Sequence, residues 1–525
     1  MSGMLSTGLN GLRAFQLAID VTSQNVVNAN TDGYVRQRAE LATRPAVPSA
    51  GAWLASGVQV ARIAREVDVY RVAQSRDAAT QAQNAATRMQ EIGRVVAALG
   101  RGQDGLPGAL QRVRDALEAL TAAPATRSVR VELLAKLDDA ATEIRAVDAR
   151  WRDFDRAWGQ RMTTLVGELN ADARAIADLN RQIAIGAAAA GTPSPTLLDQ
   201  RDQLLDRLAG YADLRVVEDA EGKVNVFAGR GRALVVGDVA TAVKAEDFAA
   251  DSGGTLGALA YSRAPLLSGA RDELGALAAA LAERLNTTHA DGVDGAGRSG
   301  TPLFSTPVAT VTPRSGNTGS ASVVATLDDT DALTIKNYRL QRVADAWVLS
   351  RLDDGTPVPM SGSGSVVDPL RAEGLAIEVS GVAANGDGFE IYPTRELACD
   401  FTATVTDPTR VAAAASGLGP GDNGNARRLL LAFDSVAPSD AGTTLIDRLD
   451  RLQLRLSRTQ QIAARDAEVT QVARADIDRQ RSNVSGVNLD EEAARLLQLQ
   501  QAYQAAAQVV RMSDELFRTL LDATH

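Results

Sequence analysis

The sequence predicts a multidomain α+β protein: terminal helices forming an α-helical coiled-coil domain, a long-helix bundle with a small β-hairpin region, and an inserted mostly-β domain. Three observations predict it. The C-terminal segment carries a heptad repeat, residues 125–185 carry a sustained three-and-four apolar period, and residues 305–405 switch to short alternating runs rich in Gly, Ser, Thr and Asp. The length of 525 residues also exceeds the ~250–300 that one core sustains.

The first element is an amphipathic helix over residues 5–28. Leu5, Leu9, Leu12, Ile19 and Val26 recur at helical steps with Phe15 beside them, and the helix stops in the turn formers Asn28-Ala-Asn-Thr-Asp-Gly33. Over residues 125–185, Trp151, Trp158, Met162, Leu169, Ala173, Ile176 and Ile183 advance by threes and fours, bracketed by Pro124 and Gly186. Unbroken, that helix would be about 90 Å long, with Gly159 and Gly167 as local weak points. A helix over 197–209 follows Pro195. Residues 214–217 and 224–227 then read as a hairpin around a turn at Asp219 to Gly222, which Val235 and Val236 extend. After a helix over 272–286, strands are expected at 321–327, 340–348, 375–379 and 389–392.

Beyond Pro408 and the loop at 419–424 the chain reads as helical almost to its end. Leu489, Leu496, Tyr503, Val510 and Phe517 repeat every seven residues, with Leu499, Ala506, Ser513 and Leu520 interleaved. Such a helix needs a partner, because isolated helices are marginal in water. The expected division is 1–60 (axial helix and extended segment, pairing with the C-terminus), 61–300 (helical, rod-like), 301–407 (mostly-β insert), 408–482 (return helices) and 483–525 (C-terminal axial helix).

Composition removes several functional classes. Lys+Arg 55 against Asp+Glu 65 gives a net charge of −10, unlike a phosphate-binding surface, and aromatics at 4% supply few stacking platforms. With two histidines and one cysteine, neither a His/Cys zinc cluster nor a disulfide framework can be built. The opening residues lack a basic segment followed by an apolar one, and no run approaches the ~18–20 apolar residues that span a bilayer, so neither a cleaved signal nor membrane insertion is expected.

Local motifs offer little chemistry. The stretch Asp291-Gly-Val-Asp-Gly-Ala-Gly297 lacks the spacing and terminal Glu of a calcium loop. Gly253-Gly-Thr-Leu-Gly257 lacks the Lys-Ser/Thr of a phosphate loop. His289 reads as a polar helix-end residue, Cys399 as a small buried residue or an inert surface thiol. Asp490, Glu491 and Glu492 sit where they complement a helix N-terminus.

Separated stretches carry a resemblance. Gly8-Leu-Asn-Gly-Leu12 and Thr22-Ser-Gln-Asn-Val-Val-Asn-Ala-Asn-Thr-Asp-Gly-Tyr-Val-Arg-Gln37, with Val484-Ser-Gly-Val-Asn-Leu-Asp-Glu-Glu492 and Leu496-Leu-Gln-Leu-Gln-Gln-Ala-Tyr-Gln504, resemble the two terminal signatures of the bacterial flagellar rod/hook axial protein family. Ile176-Ala-Asp-Leu-Asn-Arg-Gln-Ile183, Leu197-Leu-Asp-Gln-Arg-Asp-Gln-Leu-Leu205 and residues 281–290 are similar to the helical domain of its hook–filament junction members. The insert is similar only loosely.

The resemblance implies a structural subunit, not an enzyme, with no cofactor or metal, joining hook to filament through its terminal helices. Its alternatives are another axial subunit (hook or distal rod) or a secreted adhesin or hydrolase acting through the insert. It implies export as an unfolded chain through the flagellar type III apparatus, an extracellular location, and ends held loosely until assembly. The implied partners are further copies in a ring or tube, the hook protein and the second junction protein as axial neighbours, and an export chaperone at the C-terminal helix; nucleic acid and membrane insertion are not implied. The implied assembly residues are Leu5, Leu9, Leu12, Ile19, Asn25, Asn28, Asn30, Gly33 and Tyr34, with Gly486, Val487, Asn488, Leu489, Leu496, Leu499, Tyr503, Val510, Phe517 and Leu520.

Overall fold

The periodic segments fold as helices in a computed structural model that describes residues 2–49, 52–55, 57–100, 102–306, 308–329, 332–419, 421–435 and 444–523. They are α1 (Ser2–Val27), α2 (Val69–Ala98), α3 (Leu106–Ala122), α4 (Arg127–Ala190), α5 (Pro195–Tyr211), α6 (Gly254–Tyr261), α7 (Gly269–Ala290), α8 (Gly424–Asp434), α9 (Leu445–Ser485) and α10 (Leu489–Ala523). Two compact units share them: Met1–Thr87, Arg161–Ala258 and Arg465–His525 form one, Arg88–Gln160 and Leu259–Ala464 the other.

The first unit holds α1, α5, α10 and parts of α2, α4 and α9. Strand Gln37–Thr43 pairs antiparallel with Val58–Arg65, with a register shift between Glu40 and Leu41. The expected hairpin is present as Leu214–Glu218 against Val224–Ala228, and Arg232–Val236 and Val239–Ala240 continue it into a four-stranded sheet. Asn180 ties α4 to this sheet, donating to the Val224 (2.8 Å) and Gly237 (2.6 Å) carbonyls while its own oxygen accepts the Val224 amide.

In the second unit α2 and α4 meet through Trp151, which donates to the Val95 carbonyl, and Trp158, which donates to the Glu91 carboxylate at 2.8 Å. Both indoles are fully buried, so each bond satisfies a donor that water cannot reach. α4 runs through Gly159 and Gly167 without a break, because a packed apolar face outweighs the ~1 kcal/mol that glycine costs a helix. Between α6 and α7, residues Ser262–Ser268 wind as a π-helix around Pro265, whose ring and missing N–H preclude the regular bond.

The insert, within the second unit, packs two antiparallel sheets. One orders Thr310–Pro313, Gly388–Tyr392, Tyr338–Val343, Ala346–Arg351 and Pro357–Val358; the other orders Ser322–Leu327, Leu375–Ser380 and Leu370–Ala372. Tyr338, Leu340, Leu349, Ile377, Phe389 and Ile391 form the core between them. The single strand expected at 340–348 is instead a hairpin whose two-residue turn is Ala344-Asp345, with Ala344 at φ +52°. Ala-Asp carries none of the Asn-Gly chemistry that normally announces such a turn, and the flanking apolar residues conceal it.

Candidate assembly site

In the first unit α1 lies along α10, and two seven-residue patterns run side by side on α1. Gly8, Gly11, Phe15, Ala18, Thr22 and Asn25 form the inward one; Leu5, Leu12, Ile19 and Val26 form a flanking one. Gly8, Gly11, Ala18, Thr22 and Asn25 are buried. A Cβ at Gly8 would sit 2.6 Å from Val510 Cγ2, and one at Gly11 would sit 3.5 Å from the Ala506 Cβ. The two backbones therefore approach through glycine and alanine, the arrangement that lets helices pack at short range. The leucine pattern is left partly open: Leu5 is 40% and Leu9 41% exposed, Val26 is exposed, and Leu12 and Ile19 are half-buried.

On α10 the interleaved heptad positions face inward, with Glu492 and Ser513 buried and Leu499 and Ala506 half-buried. Leu496 and Val510 are half-buried, whereas Leu489, Tyr503 and Phe517 are exposed, Phe517 by 54%. The side chain of Leu520 lies outside the described residues. Over their described residues both terminal segments are helical, and α1 lies along α10. The inner face of α1 is built largely from small side chains, while Leu5, Leu9, Leu17 and Val26 stay exposed.

The turn after α1 is organised by one buried carboxylate that periodicity did not single out. Glu492 is wholly buried; it accepts the Arg36 Nε–H at 2.7 Å and the Asn25 Nδ2–H at 2.9 Å. Asn25 also donates to the Gln37 carbonyl, and its oxygen accepts the Gln37 amide and the Tyr34 hydroxyl. Arg36 reaches Glu491 and Glu66 as well, and its amide donates to the Ser485 carbonyl. These charges hold the guanidinium pKa above its ordinary value even though burial opposes them. Burial first, then the negative charges of Asp199 and Glu492, push the Tyr34 phenol up to about 12, so it stays a donor at neutral pH.

Each remaining motif residue has a local task. Gly33 has φ +75° and abuts Gln203, which donates to the Asp32 carbonyl; an added Cβ would lie 2.3 Å from the Gln203 amide nitrogen. Asn28 stabilises the turn through the Gln24 carbonyl and Thr31, and Asn30 is exposed. Gly486 lies between α9 and α10, where a Cβ would meet the Ser482 carbonyl at 2.4 Å, and Val487 beside it is half-buried. Asn488 caps α10, its side-chain oxygen accepting the Asp490 amide at 3.0 Å.

A ladder of ion pairs secures the same region. Asp199, Asp202 and Asp206 on α5 meet Arg65, Arg76 and Arg481 at 2.6–3.0 Å. Burial pushes the Asp199 carboxyl up to about 6 against the pull of Arg65 and the Val35 amide. Asp202 is also desolvated, but Arg76 and Arg65 outweigh that and hold it below the usual carboxylate range. Gly8, Gly11, Arg36 and this ladder stand outside the implied assembly residues, and Glu492 reads in the sequence only as an acid complementing a helix N-terminus. The available signal was a charged residue, Glu492, at an inward heptad position, which such a residue occupies when it is paired.

The weaker motifs resolve as structural. Asp294, in the loop set aside as a calcium site, is buried and already neutralised by Arg298 (2.8 Å) and Arg410 (3.1 Å), with the Ala296 and Arg298 amides on its other oxygen. His289 is fully buried, beyond the helix-end role expected: Nδ1 contacts the Thr301 carbonyl and Nε2 accepts the Ala412 amide. Burial pushes the Cys399 thiol up to about 11, with Asp400 adding to it, which keeps it protonated. Among the described residues no cluster of three or more His, Cys, Asp or Glu is arranged for a metal, and no helix is long and apolar enough to cross a membrane.

Comparison with known proteins agrees with this layout. The model described as the flagellar hook-associated protein FlgK helical domain matches residues 92–252 and 246–304, and that of the flagellar hook-associated protein 1 D2-like domain matches 312–393. Models of the flagella basal body rod protein and of the flagellar basal body rod FlgEFG protein C-terminal region match 5–34 and 479–523. The chain is 28% identical to flagellar hook-associated protein 1 of Escherichia coli and of Salmonella typhimurium, over 99% of its own length and all of theirs. The solved flagellar hook junction protein FlgK from Burkholderia pseudomallei shares its fold at TM-score 0.71 and 19% identity, covering 79% of this chain and all of that one. The chain belongs to the flagellar hook-associated protein 1 family of bacterial flagellar axial proteins.

Proposed function

We propose that the chain is a non-enzymatic structural subunit that joins hook to filament in the bacterial flagellum through coiled-coil packing of α1 and α10. The observation that carries this reading is the open flank of a pair that is otherwise satisfied: Leu5, Leu9 and Val26 on α1, with Leu489, Tyr503 and Phe517 on α10. Burying one such side chain contributes about 1.5–3 kcal/mol, and a tube of identical subunits offers every copy the neighbours that bury them. The polar hub at Asn25, Arg36 and Glu492 sets the direction of the chain leaving α1, and the insert (residues 301–407) serves as an outer domain.

The partners in this reading are further copies in a ring, the hook protein and the second junction protein as axial neighbours, and an export chaperone that covers the open stripe of α10 before assembly. The working location is the extracellular flagellum, reached without a cleaved signal. A strain lacking its own hook–filament junction subunit tests it. Expression of this chain restores filaments on bare hooks and restores swimming; hooks that stay bare despite secretion of a folded chain would refute it.

A further inference from the structure

A cleft of about 410 Å³ in the first unit is unused by this assembly account. Val67, Val69, Val72, Leu198, Val216 and Val224 give it an apolar wall, and Val69 is 76% exposed. Three of its arginines differ in how they are compensated. Arg65 pairs with Asp199 and Asp202, and Arg76 with Asp202 and Asp206. Arg201 is only 5% exposed and has no carboxylate partner among the described residues: Nη1 donates to Asn180 Oδ1 (3.2 Å) and the Gly222 carbonyl (2.7 Å), while Nε is buried without a partner. Burying a cation whose bonds go only to neutral acceptors is costly: burial first, then the neighbouring charges of Arg65 and Arg76, lower its pKa against the attraction of Asp202 and Glu218, neither of which bonds it. The other acid on the wall, Glu218, is exposed at the rim.

We propose that this cleft receives an acidic, apolar-flanked segment of a neighbouring axial subunit, with the segment's carboxylate taken by Arg201 and its apolar side chains by the valine wall. Charge complementarity selects that partner: the cleft holds a guanidinium that no carboxylate bonds, its surroundings are apolar, and a carboxylate between aliphatic side chains satisfies both. The proposal rests on the reading of the chain as an axial subunit, since that reading supplies neighbours.

The test uses the purified full chain and the fluorescein-labelled peptide acetyl-Leu-Val-Glu-Val-Leu-amide, followed by anisotropy. Saturable binding is expected, weaker by about thirtyfold for the peptide with Gln in place of Glu and for Arg201→Met, with partial recovery in Arg201→Lys. If Arg201→Met fails to fold, Val69→Glu, at an exposed position, puts a repelling charge on the apolar wall and lowers binding by itself. Absence of binding, or equal binding of both peptides, overturns the proposal. In cells, a chain that restores filaments equally well with and without Arg201→Met defeats the cleft proposal alone and leaves the junction role standing.

Discussion

Replacing Glu492 by alanine tests whether one buried carboxylate holds the two ends together. The change removes the bond from Arg36 Nε (2.7 Å) and that from Asn25 Nδ2 (2.9 Å). Hydrogen bonds to charged groups contribute ~1.5–3 kcal/mol each, and loss of a buried partner adds the cost of the group left behind. Arg36 keeps Glu491 and Glu66, so that added cost is small and the net loss is about 3 kcal/mol. Because the chain has two units, a single melting temperature would blur the effect, and local amide exchange is the better readout. Exchange along residues 8–25 should accelerate about a hundredfold, at 1.4 kcal/mol per factor of ten, while α3 is unaffected. Glu492→Gln keeps the shape without the charge and should fall between. Unchanged exchange in α1 would refute the assignment of Glu492 as the tie between the ends.

Other consequences are open to simpler measurements. Gly8→Val should separate α1 from α10, because its Cβ would meet Val510 at 2.6 Å; retained slow exchange in both helices would contradict the close approach. The raised pKa of Asp199, about 6 in the folded chain against about 3.8 free, means that the folded state binds this proton more tightly. Its contribution to stability therefore rises as pH falls from 7 toward 4. The denaturation midpoint of the first unit, followed by a probe within it, should gain on that of Asp199→Asn as pH falls through this window, and a constant or shrinking gap would overturn the sign. Deleting residues 305–403 should leave a secreted chain that supports filaments, since Phe304 and Ala403 are bridged and the cut ends lie together; lost swimming with a folded product would assign the insert an essential role.

How much was legible in the residues depended on the range of the interactions. α4 and α10 declared themselves because dozens of residues repeat one local period. The hairpin at 214–228 showed through its alternation and turn residues. The hub at Glu492 did not, because its partners Asn25 and Arg36 are more than 450 positions away in sequence: Asn25 is marked only by the family resemblance, and nothing local joins it to Glu492. The α1 seam was missed for another reason: apolar scales register Leu5 and Leu12, whereas close helix approach is made by the absence of side chain at Gly8 and Gly11. The leucine period was real but belongs to the flank. Leu496 and Val510, which the period groups with the exposed Leu489, Tyr503 and Phe517, lie half-buried, Val510 against α1 at Gly8.

That distinction can be put to direct test in cells lacking their own junction subunit, with a chain carrying Leu9→Asp and Phe517→Asp. Both positions are exposed, 41% and 54%, so the secreted variant should fold and melt as the native chain does. Electron microscopy should then show hooks without filaments, because the carboxylates fall where neighbouring subunits would close over the helix pair. Filaments on those hooks at the native frequency would contradict the account.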